Sequence, residues 1–263
     1  MKVRSAVVQM AVVLLLAGAC GRSENPALEG SPPGTAGQLS GSTTVFAAAS
    51  LTESFDELAA IFQKDNSSAE VVFNFSSSSS LAAQISEQGG ADAFASADQA
   101  NMRKVTERGL ADGEPRVFAR NKLEIVVGNG NPKGIRGLAD LDRPGLKVVL
   151  ASAEVPVGRY AREALSKAGV TVTPVSEALD VKGVVGPVTL GEADAGIVYA
   201  SDIVTIGARG EGVPIPDDQN VEAEYPIALI KDPANAQVAR AFVDLVLSEE
   251  GRAVLMGNGF LAP

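Results

Sequence analysis

The sequence predicts an α/β protein of two lobes, built from mixed, mostly parallel sheets with a ligand cleft between the lobes. Short apolar runs alternate with amphipathic runs, which is typical of βαβ units. The alternation occurs in two sets, separated by the long extended run 117–128. A later extended run, near residues 224–230, leads the chain back toward the first set. Such folds bind ligands in a cleft at the carboxyl ends of parallel strands.

The N-terminal residues 1–19 have the pattern of a secretory signal peptide. Lys2 and Arg4 give a basic start, the run 6–16 is apolar except for one glutamine, and small residues precede Cys20. As the only cysteine, Cys20 excludes an intramolecular disulfide. Its position is similar to that of the lipidated cysteine of bacterial lipoproteins, so we expect a lipid anchor there. The alternative is an unmodified thiol in an ordinary signal peptide.

The rest of the chain divides into a tether and two lobes. Residues 20–42, which contain the lipidated N-terminus, are rich in Gly, Ser and Pro, and this composition favours a flexible tether. We predict that residues 43–122 and 224–263 form lobe 1 and that residues 123–223 form lobe 2. The protein is expected to cross the cytoplasmic membrane and to remain lipid-anchored in the periplasm or on the outer face of the membrane.

Charge and composition exclude several functions. The formal net charge is −10 and falls to about −12 when Lys2 and Arg4 leave with the signal peptide. An acidic surface of this kind repels nucleic acid, so no nucleic-acid partner is expected. The chain contains no histidine, which excludes imidazole metal sites, Ser-His catalytic triads and a histidine pH switch.

The first set of units begins with a buried strand and an amphipathic helix. Phe55 and Leu58 stand at helical spacing in that helix, and Ser50 with Glu53 predicts a capping box at its start. Strands are predicted at 43–49, 70–75 and 92–96, and the helices that follow them at 51–62, about 80–87 and about 99–108.

The run 117–128 carries the chain out of the first lobe. Beyond it, apolar runs predict strands at 146–151, 171–173 and 195–199, and amphipathic runs predict helices at 158–167 and 181–190. A Gly/Pro-rich loop at 207–220, a strand at 225–231 and helices at 234–247 and 249–256 complete the chain.

Five consecutive serines, Ser76 to Ser80, lie between a strand and a helix. Such a run is either a flexible linker or a cluster of hydrogen-bond donors, and the flanking strand and helix favour the cluster. At the junctions 49–50, 77–79, 156–158 and 180–181, backbone N–H groups stand at the positive end of a helix. Helix starts that converge on one cleft form an anion site. A site of donors alone suits a fully deprotonated oxyanion and disfavours hydrogen phosphate.

Several stretches together carry a family resemblance. They are Thr44 to Thr52, Phe75 to Leu81 with Ala82, Gln84 and Ile85, Ala91 to Asp98, Val155 to Leu165, Gly196 to Asp202, and Glu224 to Ala228. In this order and spacing they resemble the molybdate-binding proteins of bacterial molybdate ABC importers. The resemblance implies a two-lobe periplasmic-binding-protein fold of type II. It also implies a monomeric solute-binding protein without a cofactor, which captures molybdate or tungstate and delivers it to an ABC permease.

The resemblance further implies which residues bind the oxyanion: Ser50, Ser78, Val157, Val181 and Tyr199. The two serines would donate from hydroxyl and backbone N–H groups, the tyrosine from its hydroxyl group, and the two valines from backbone N–H groups. The metal atom would have no direct protein ligand. Because the loop is a run of serines, Ser77 or Ser79 is an alternative to Ser78.

Other functions compete with this interpretation. The same fold could bind sulfate or another tetrahedral oxyanion, or serve as a sensor or adhesin lipoprotein without transport. A serine hydrolase using the serine run would need a base, and without histidine only a lysine or a carboxylate remains. The chain is therefore predicted not to be an enzyme. Asp92 and Asp98 could be metal ligands or catalytic groups, but we interpret them as caps and turn formers.

Overall fold

The structure is a computed structural model that describes residues 38–263. The predicted signal peptide, the lipidation site Cys20 and most of the predicted tether lie outside these residues. Within the described part of the chain, no helix is both long enough and apolar enough to span a membrane.

The chain alternates strands and helices along most of its length. The strands are β1 (Ser40–Ala48), β2 (Ser68–Ser76), β3 (Ala93–Ala95), β4 (Ala111–Gly128), β5 (Val148–Ala151), β6 (Ser176–Ala178), β7 (Ala195–Tyr199), β8 (Gly210–Pro214) and β9 (Glu222–Ile230). The α-helices are α1 (Thr52–Asp65), α2 (Ser78–Gln88), α3 (Gln99–Thr106), α4 (Pro156–Lys167), α5 (Lys182–Thr189), α6 (Ala200–Ile206), α7 (Ala236–Leu247) and α8 (Glu249–Gly257). Short 3-10 helices occupy Ala49–Leu51, Leu138–Asp142 and Gly207–Arg209.

The strands pair in the order β2-β1-β3-β9-β4-β7-β5-β6, with β8 beside β4. The pairings of β1 and β5 with β2, β3, β6 and β7 are parallel, as expected for βαβ units. The pairings of β4 and β9 with their neighbours are antiparallel. The predicted mixed α/β architecture is therefore confirmed, and the antiparallel pairs come from β8 and the two strands that run between the sets of units.

Strand β4 connects two sheets. Its residues 111–122 pair with β9, and its residues 123–127 pair with β7. We call the elements around the first sheet lobe 1 (β1–β3, β9, α1–α3, α7 and α8) and those around the second sheet lobe 2 (β5–β8 and α4–α6). The exact residues at which the lobes divide stay a prediction.

A cluster of aromatic rings fixes α1 on the first sheet. The ring centre of Phe55 lies 5.8–5.9 Å from those of Phe73, Phe118 and Phe242. Phe55 and Leu58 are fully buried, as their helical spacing predicted. Full burial of one such side chain stabilises a fold by roughly 1.5–3 kcal/mol. The packing of α1 therefore also fixes the position of its N-terminal end.

The start of α1 differs from the prediction. A 3-10 helix, Ala49–Leu51, precedes it, so Leu51 is the N-cap residue and no side chain caps the helix. The predicted capping box of Ser50 and Glu53 is wrong because both side chains have partners elsewhere: Ser50 contacts Tyr225, and Glu53 contacts Lys182.

Lobe 2 differs from the prediction at three short elements. The strand predicted at 171–173 is β6, displaced to Ser176–Ala178 by its pairing with β5. The predicted loop 207–220 contains β8, which pairs with β4. Helix α6 was not predicted, since its seven residues are too few to show a clear helical period.

Candidate functional site

A pocket lies between the lobes where strands end and helices begin. The space between atoms there, including the part open to solvent, is about 220 Å³. Its lining residues are Ala48, Ala49, Ser50, Ser76, Ser77, Ser78, Ala97, Val155, Pro156, Val157, Asp180, Val181 and Tyr199. All five predicted oxyanion-binding residues are in this lining. The structure therefore brings them together, and their role in binding stays a prediction.

Two serines of the run have different roles: both line the pocket, but one of them also caps helix α2. Ser77 is the N-cap of α2, where its hydroxyl oxygen accepts the Ser80 N–H at 3.3 Å. The hydroxyl oxygen of Ser78 accepts the backbone N–H of Ala97 at 2.9 Å. A hydroxyl that accepts one hydrogen bond still has its own hydrogen to donate. Ser79 does not line the pocket, so the alternatives for a ligand hydroxyl narrow to Ser77 and Ser78.

Ser50 is held by a residue that the sequence analysis did not identify. Its hydroxyl oxygen lies 3.0 Å from the hydroxyl oxygen of Tyr225, at the crossing strand β9. Tyr225 is fully buried, and this burial raises the pKa of its phenol far above the usual range. The phenol therefore stays protonated and can hydrogen-bond Ser50 at any physiological pH. Its one sequence signal was its place in the stretch Glu224 to Ala228.

Tyr199 ends β7 and presents a hydroxyl without a partner. The side chain is 1% exposed, and burial raises the pKa of its phenol well above the usual value. Within residues 38–263, the Tyr199 hydroxyl makes no hydrogen bond. Leaving a buried polar group unpaired costs about 1–3 kcal/mol, so such groups are rare unless a ligand or water satisfies them. This hydroxyl is a donor available to a molecule in the pocket.

Gly158 allows α4 to start directly against the end of β5. A β-carbon at this position would collide with the carbonyl oxygens of Ala151 and Ser152. Pro156 occupies the first turn, where its missing N–H costs nothing. The N–H groups of the next residues have no acceptor within the helix. The close approach thus places the start of α4, including Val157, in the wall of the pocket.

The start of α5 contributes Val181 and an acidic neighbour. Val181 is the N-cap residue and has no capping side chain of its own. The carboxylate of Asp180 accepts the Gly183 N–H at 2.9 Å and so acts as the cap. Because Asp180 lines the pocket, the prediction of a lining made of donors alone is wrong at this position. The carboxylate oxygen that caps α5 is occupied by that bond.

Helix starts supply the positive potential of the pocket. Of the residues that the structure describes, no lysine or arginine lines it. The starts of α2, α4 and α5 direct partial positive charge toward the space between them. The arrangement suits a small oxyanion that accepts several hydrogen bonds at once.

The two aspartates flagged in the sequence have structural partners. Asp98 is the N-cap of α3, where it accepts the Asn101 N–H at 2.7 Å. Asp92 accepts the N–H groups of Thr44 at 2.8 Å and Ala234 at 2.6 Å. The interpretation as a cap is confirmed for Asp98. It is wrong for Asp92, which neither caps a helix nor forms a turn but joins β1 to the segment before α7. In the described part of the chain, no three His, Cys, Asp or Glu side chains group as metal ligands.

The chain is similar in sequence and in fold to known solute-binding proteins. Residues 43–261 match the family model described as bacterial extracellular solute-binding protein. The molybdate-binding protein ModA of Mycobacterium tuberculosis is 42% identical over 252 residues, which cover 95% of each chain. The periplasmic molybdate-binding protein of Azotobacter vinelandii superposes with a TM-score of 0.73 at 22% identity, covering 84% of this chain and 99% of that one. The sulfate-binding protein SubI of M. tuberculosis superposes with a TM-score of 0.75 at 18% identity, covering 83% and 86%.

Proposed function

Because this chain belongs to the bacterial extracellular solute-binding protein family, we propose that it captures molybdate outside the cytoplasmic membrane and delivers it to an ABC importer. Membership of a family of binding proteins also confirms that the chain is not an enzyme, so the oxyanion is its ligand and not a cofactor. The observation that carries the proposal is the unpartnered, buried hydroxyl of Tyr199 in a pocket rimmed by helix starts.

The proposed ligands come from both lobes. Ser50 and Ser78 donate hydroxyl hydrogens from lobe 1, while Tyr199 donates its phenol hydrogen from lobe 2. The backbone N–H groups of Val157 and Val181 complete the set. Hydrogen bonds to a charged acceptor contribute about 1.5–3 kcal/mol each, so five of them offset the desolvation of a dianion without a cationic side chain. The lobes correspond to residues 43–122 with 224–263 and to residues 123–223.

The hydrogen-bonding groups that line the pocket determine which oxyanions it should bind. Tungstate has the same charge and nearly the same shape as molybdate, so we propose that it binds as well. Hydrogen phosphate carries a proton that needs an acceptor. The one carboxylate in the lining, Asp180, uses its Oδ1 to accept the Gly183 N–H, which leaves Oδ2 as the single side-chain carboxylate oxygen for that proton. Sulfate is the second candidate ligand, because the fold is shared with a sulfate-binding protein.

We also propose how the protein is held at the cell surface. The chain is secreted, and Cys20 becomes lipidated and anchors the protein in the membrane next to its permease. The basic start, the apolar run and the small residues before Cys20 support this. The protein works as a monomer, since one chain supplies every proposed ligand of the site.

The melting temperature of the protein with and without each oxyanion tests the proposal. A ligand present at a thousand times its Kd stabilises the folded state by about 4 kcal/mol. For a domain of this size, each kcal/mol raises the melting temperature by roughly 2–4 °C. We expect 1 mM sodium molybdate to raise it by about 10 °C, and 1 mM sodium phosphate to leave it unchanged. A rise with sodium sulfate alone would favour the second candidate.

A further inference from the structure

Two ion pairs join the lobes beside the pocket. The Lys182 ammonium of lobe 2 lies 2.8 Å from each carboxylate oxygen of Glu53 in lobe 1. The Arg159 guanidinium of lobe 2 pairs with the carboxylate of Asp98 in lobe 1. None of these four side chains lines the pocket. They therefore connect the walls of the site without reaching into it.

Both cations lie at the N-terminal ends of their own helices, where positive charge is unfavourable. Lys182 is the first residue of α5, and Arg159 lies in the first turn of α4. The helix macrodipole disfavours positive charge at these positions. Neither first turn contains an acidic residue. At α5, however, Asp180 caps the helix and the Asp202 carboxylate of lobe 2 lies 3.3 Å from Lys182. Position in the helix therefore favours neither cation. Lys182 is shared between Glu53 across the cleft and Asp202 in its own lobe, whereas Arg159 pairs with Asp98 across the cleft.

The two carboxylates occupy the complementary positions in lobe 1. Glu53 lies in the first turn of α1, and Asp98 caps α3. Asp98 is only 1% exposed, whereas the Arg159 side chain is 41% exposed. Asp98 also has partners in its own lobe, at Asn101 and Ser96. The carboxylate is therefore fixed in lobe 1, and Arg159 reaches it only when the lobes are together.

Each cation follows a pocket residue closely in the sequence. Lys182 comes directly after Val181, and Arg159 comes two residues after Val157. The ion pairs consequently draw the starts of α5 and α4 toward lobe 1. These are the same helix starts whose N–H groups face the pocket. Each ion pair therefore lies beside a helix start that lines the pocket.

We propose that Arg159 and Lys182 are positioning residues that retain the oxyanion by holding the lobes closed through Asp98 and Glu53. The inference rests on the proposed function. Release of a ligand enclosed between two lobes requires the lobes to separate, so both ion pairs must break first. Their effect should therefore fall on the rate of release and leave the rate of association nearly unchanged.

The test measures release of radiolabelled molybdate from the full chain during a chase with excess unlabelled molybdate. Glu53→Gln removes a solvent-exposed pair, so we expect release to be about 1.5- to 5-fold faster. Arg159→Gln leaves the buried Asp98 carboxylate without its cation, so we expect release to be about tenfold faster or more. Arg159→Lys keeps the charge and should restore most of the retention.

Two control variants each remove a charge of the same sign as a test variant does, but at a residue that makes no contact between the lobes. Glu57 lies one turn after Glu53 on α1, and its carboxylate accepts a hydrogen bond from Asn258 within lobe 1. Arg136 is exposed and pairs with Asp140 within lobe 2. Glu57→Gln and Arg136→Gln should each change the release rate by less than about 1.5-fold. Equal release from the test variants and these controls would overturn the inference.

Failure of the proposed function would give a different result. If the wild-type chain binds no molybdate, the radius of gyration of the ligand-free protein becomes the deciding measurement. Small-angle X-ray scattering should then show a larger radius for the double variant Glu53→Gln/Arg159→Gln than for the double control. Equal radii in that case would overturn the inference as well.

Discussion

The hydroxyl oxygen of Ser78 accepts the backbone N–H of Ala97 at 2.9 Å, and both residues line the pocket. This bond ties the start of α2 to the segment that follows β3. It also orients Ser78, because the oxygen is used as an acceptor and the hydroxyl hydrogen is left for another group. Ser77 is instead occupied as the cap of α2. Ser78 is therefore the serine of the run best placed to donate to a ligand.

Replacing this serine should weaken binding and also destabilise the fold. Ser78→Ala removes the proposed donor, so we expect molybdate affinity to fall at least tenfold. It also leaves the buried Ala97 N–H without its acceptor, which costs about 1–3 kcal/mol. Calorimetric titration and urea unfolding measure the two effects. Ser79→Ala serves as the control, since Ser79 lies outside the lining, and an equal loss of affinity there would contradict the assignment.

Replacing Tyr199 should lower molybdate affinity without lowering the stability of the ligand-free protein. Its hydroxyl makes no hydrogen bond within the described residues, so Tyr199→Phe removes a buried unpaired group. We expect the ligand-free protein to keep its stability or gain about 1 kcal/mol. Molybdate affinity should nevertheless fall about 10- to 100-fold, because a hydrogen bond to a charged acceptor is lost. Unchanged affinity would show that this hydroxyl does not face the ligand.

Asp202 should make stability depend on pH. It is buried in the first turn of α6, accepts the Tyr199 N–H at 3.2 Å and lies 3.3 Å from Lys182. Burial raises the pKa of Asp202 from 3.8 to about 6. The folded state therefore holds this proton more tightly than the unfolded state. The resulting stabilisation is fully present below about pH 4 and is lost as the pH rises through about 6.

The variant Asp202→Asn should remove this dependence. Its stability relative to the wild type should rise between pH 4 and pH 7 by up to about 3 kcal/mol, the free energy that corresponds to a pKa shift of about two units. Urea unfolding at several pH values measures the difference. Asp218→Asn, which changes an exposed carboxylate in lobe 2, controls for general charge effects. Parallel curves for Asp202→Asn and the wild type would refute the role of Asp202.

The proposed lipid anchor has its own test. Cys20→Ala should move the protein from the detergent phase to the aqueous phase in a detergent-partitioning assay, because the acyl chains would have no attachment site. Molybdate binding should stay unchanged, since the site lies within residues 48–199. A variant that remains with the membrane would rule out anchoring through Cys20.

The pocket could be predicted from sequence because its parts are local. Each proposed ligand stands at a junction between a strand and a helix, and such junctions are visible as a change from an apolar run to small or polar residues. The parallel strands then bring their carboxyl ends to one edge. Ser50, Ser78 and Tyr199 lie in one lining for this reason.

The features that sequence analysis missed depend on distant partners or on short elements. The partner of Ser50 is Tyr225, 175 residues later, and no local pattern connects them. Glu53 and Lys182 are 129 positions apart in the sequence, and Glu53 forms this ion pair where a capping box with Ser50 was predicted. Strand β8 and helix α6 are too short to show a period, and their positions are fixed by contacts with β4.

Isothermal titration calorimetry with sodium molybdate, tungstate and sulfate tests the central claim most directly. We predict tight binding of molybdate and tungstate at one site per chain, with sulfate at least a hundredfold weaker. No binding of molybdate, or sulfate binding as tightly as molybdate, would contradict the account.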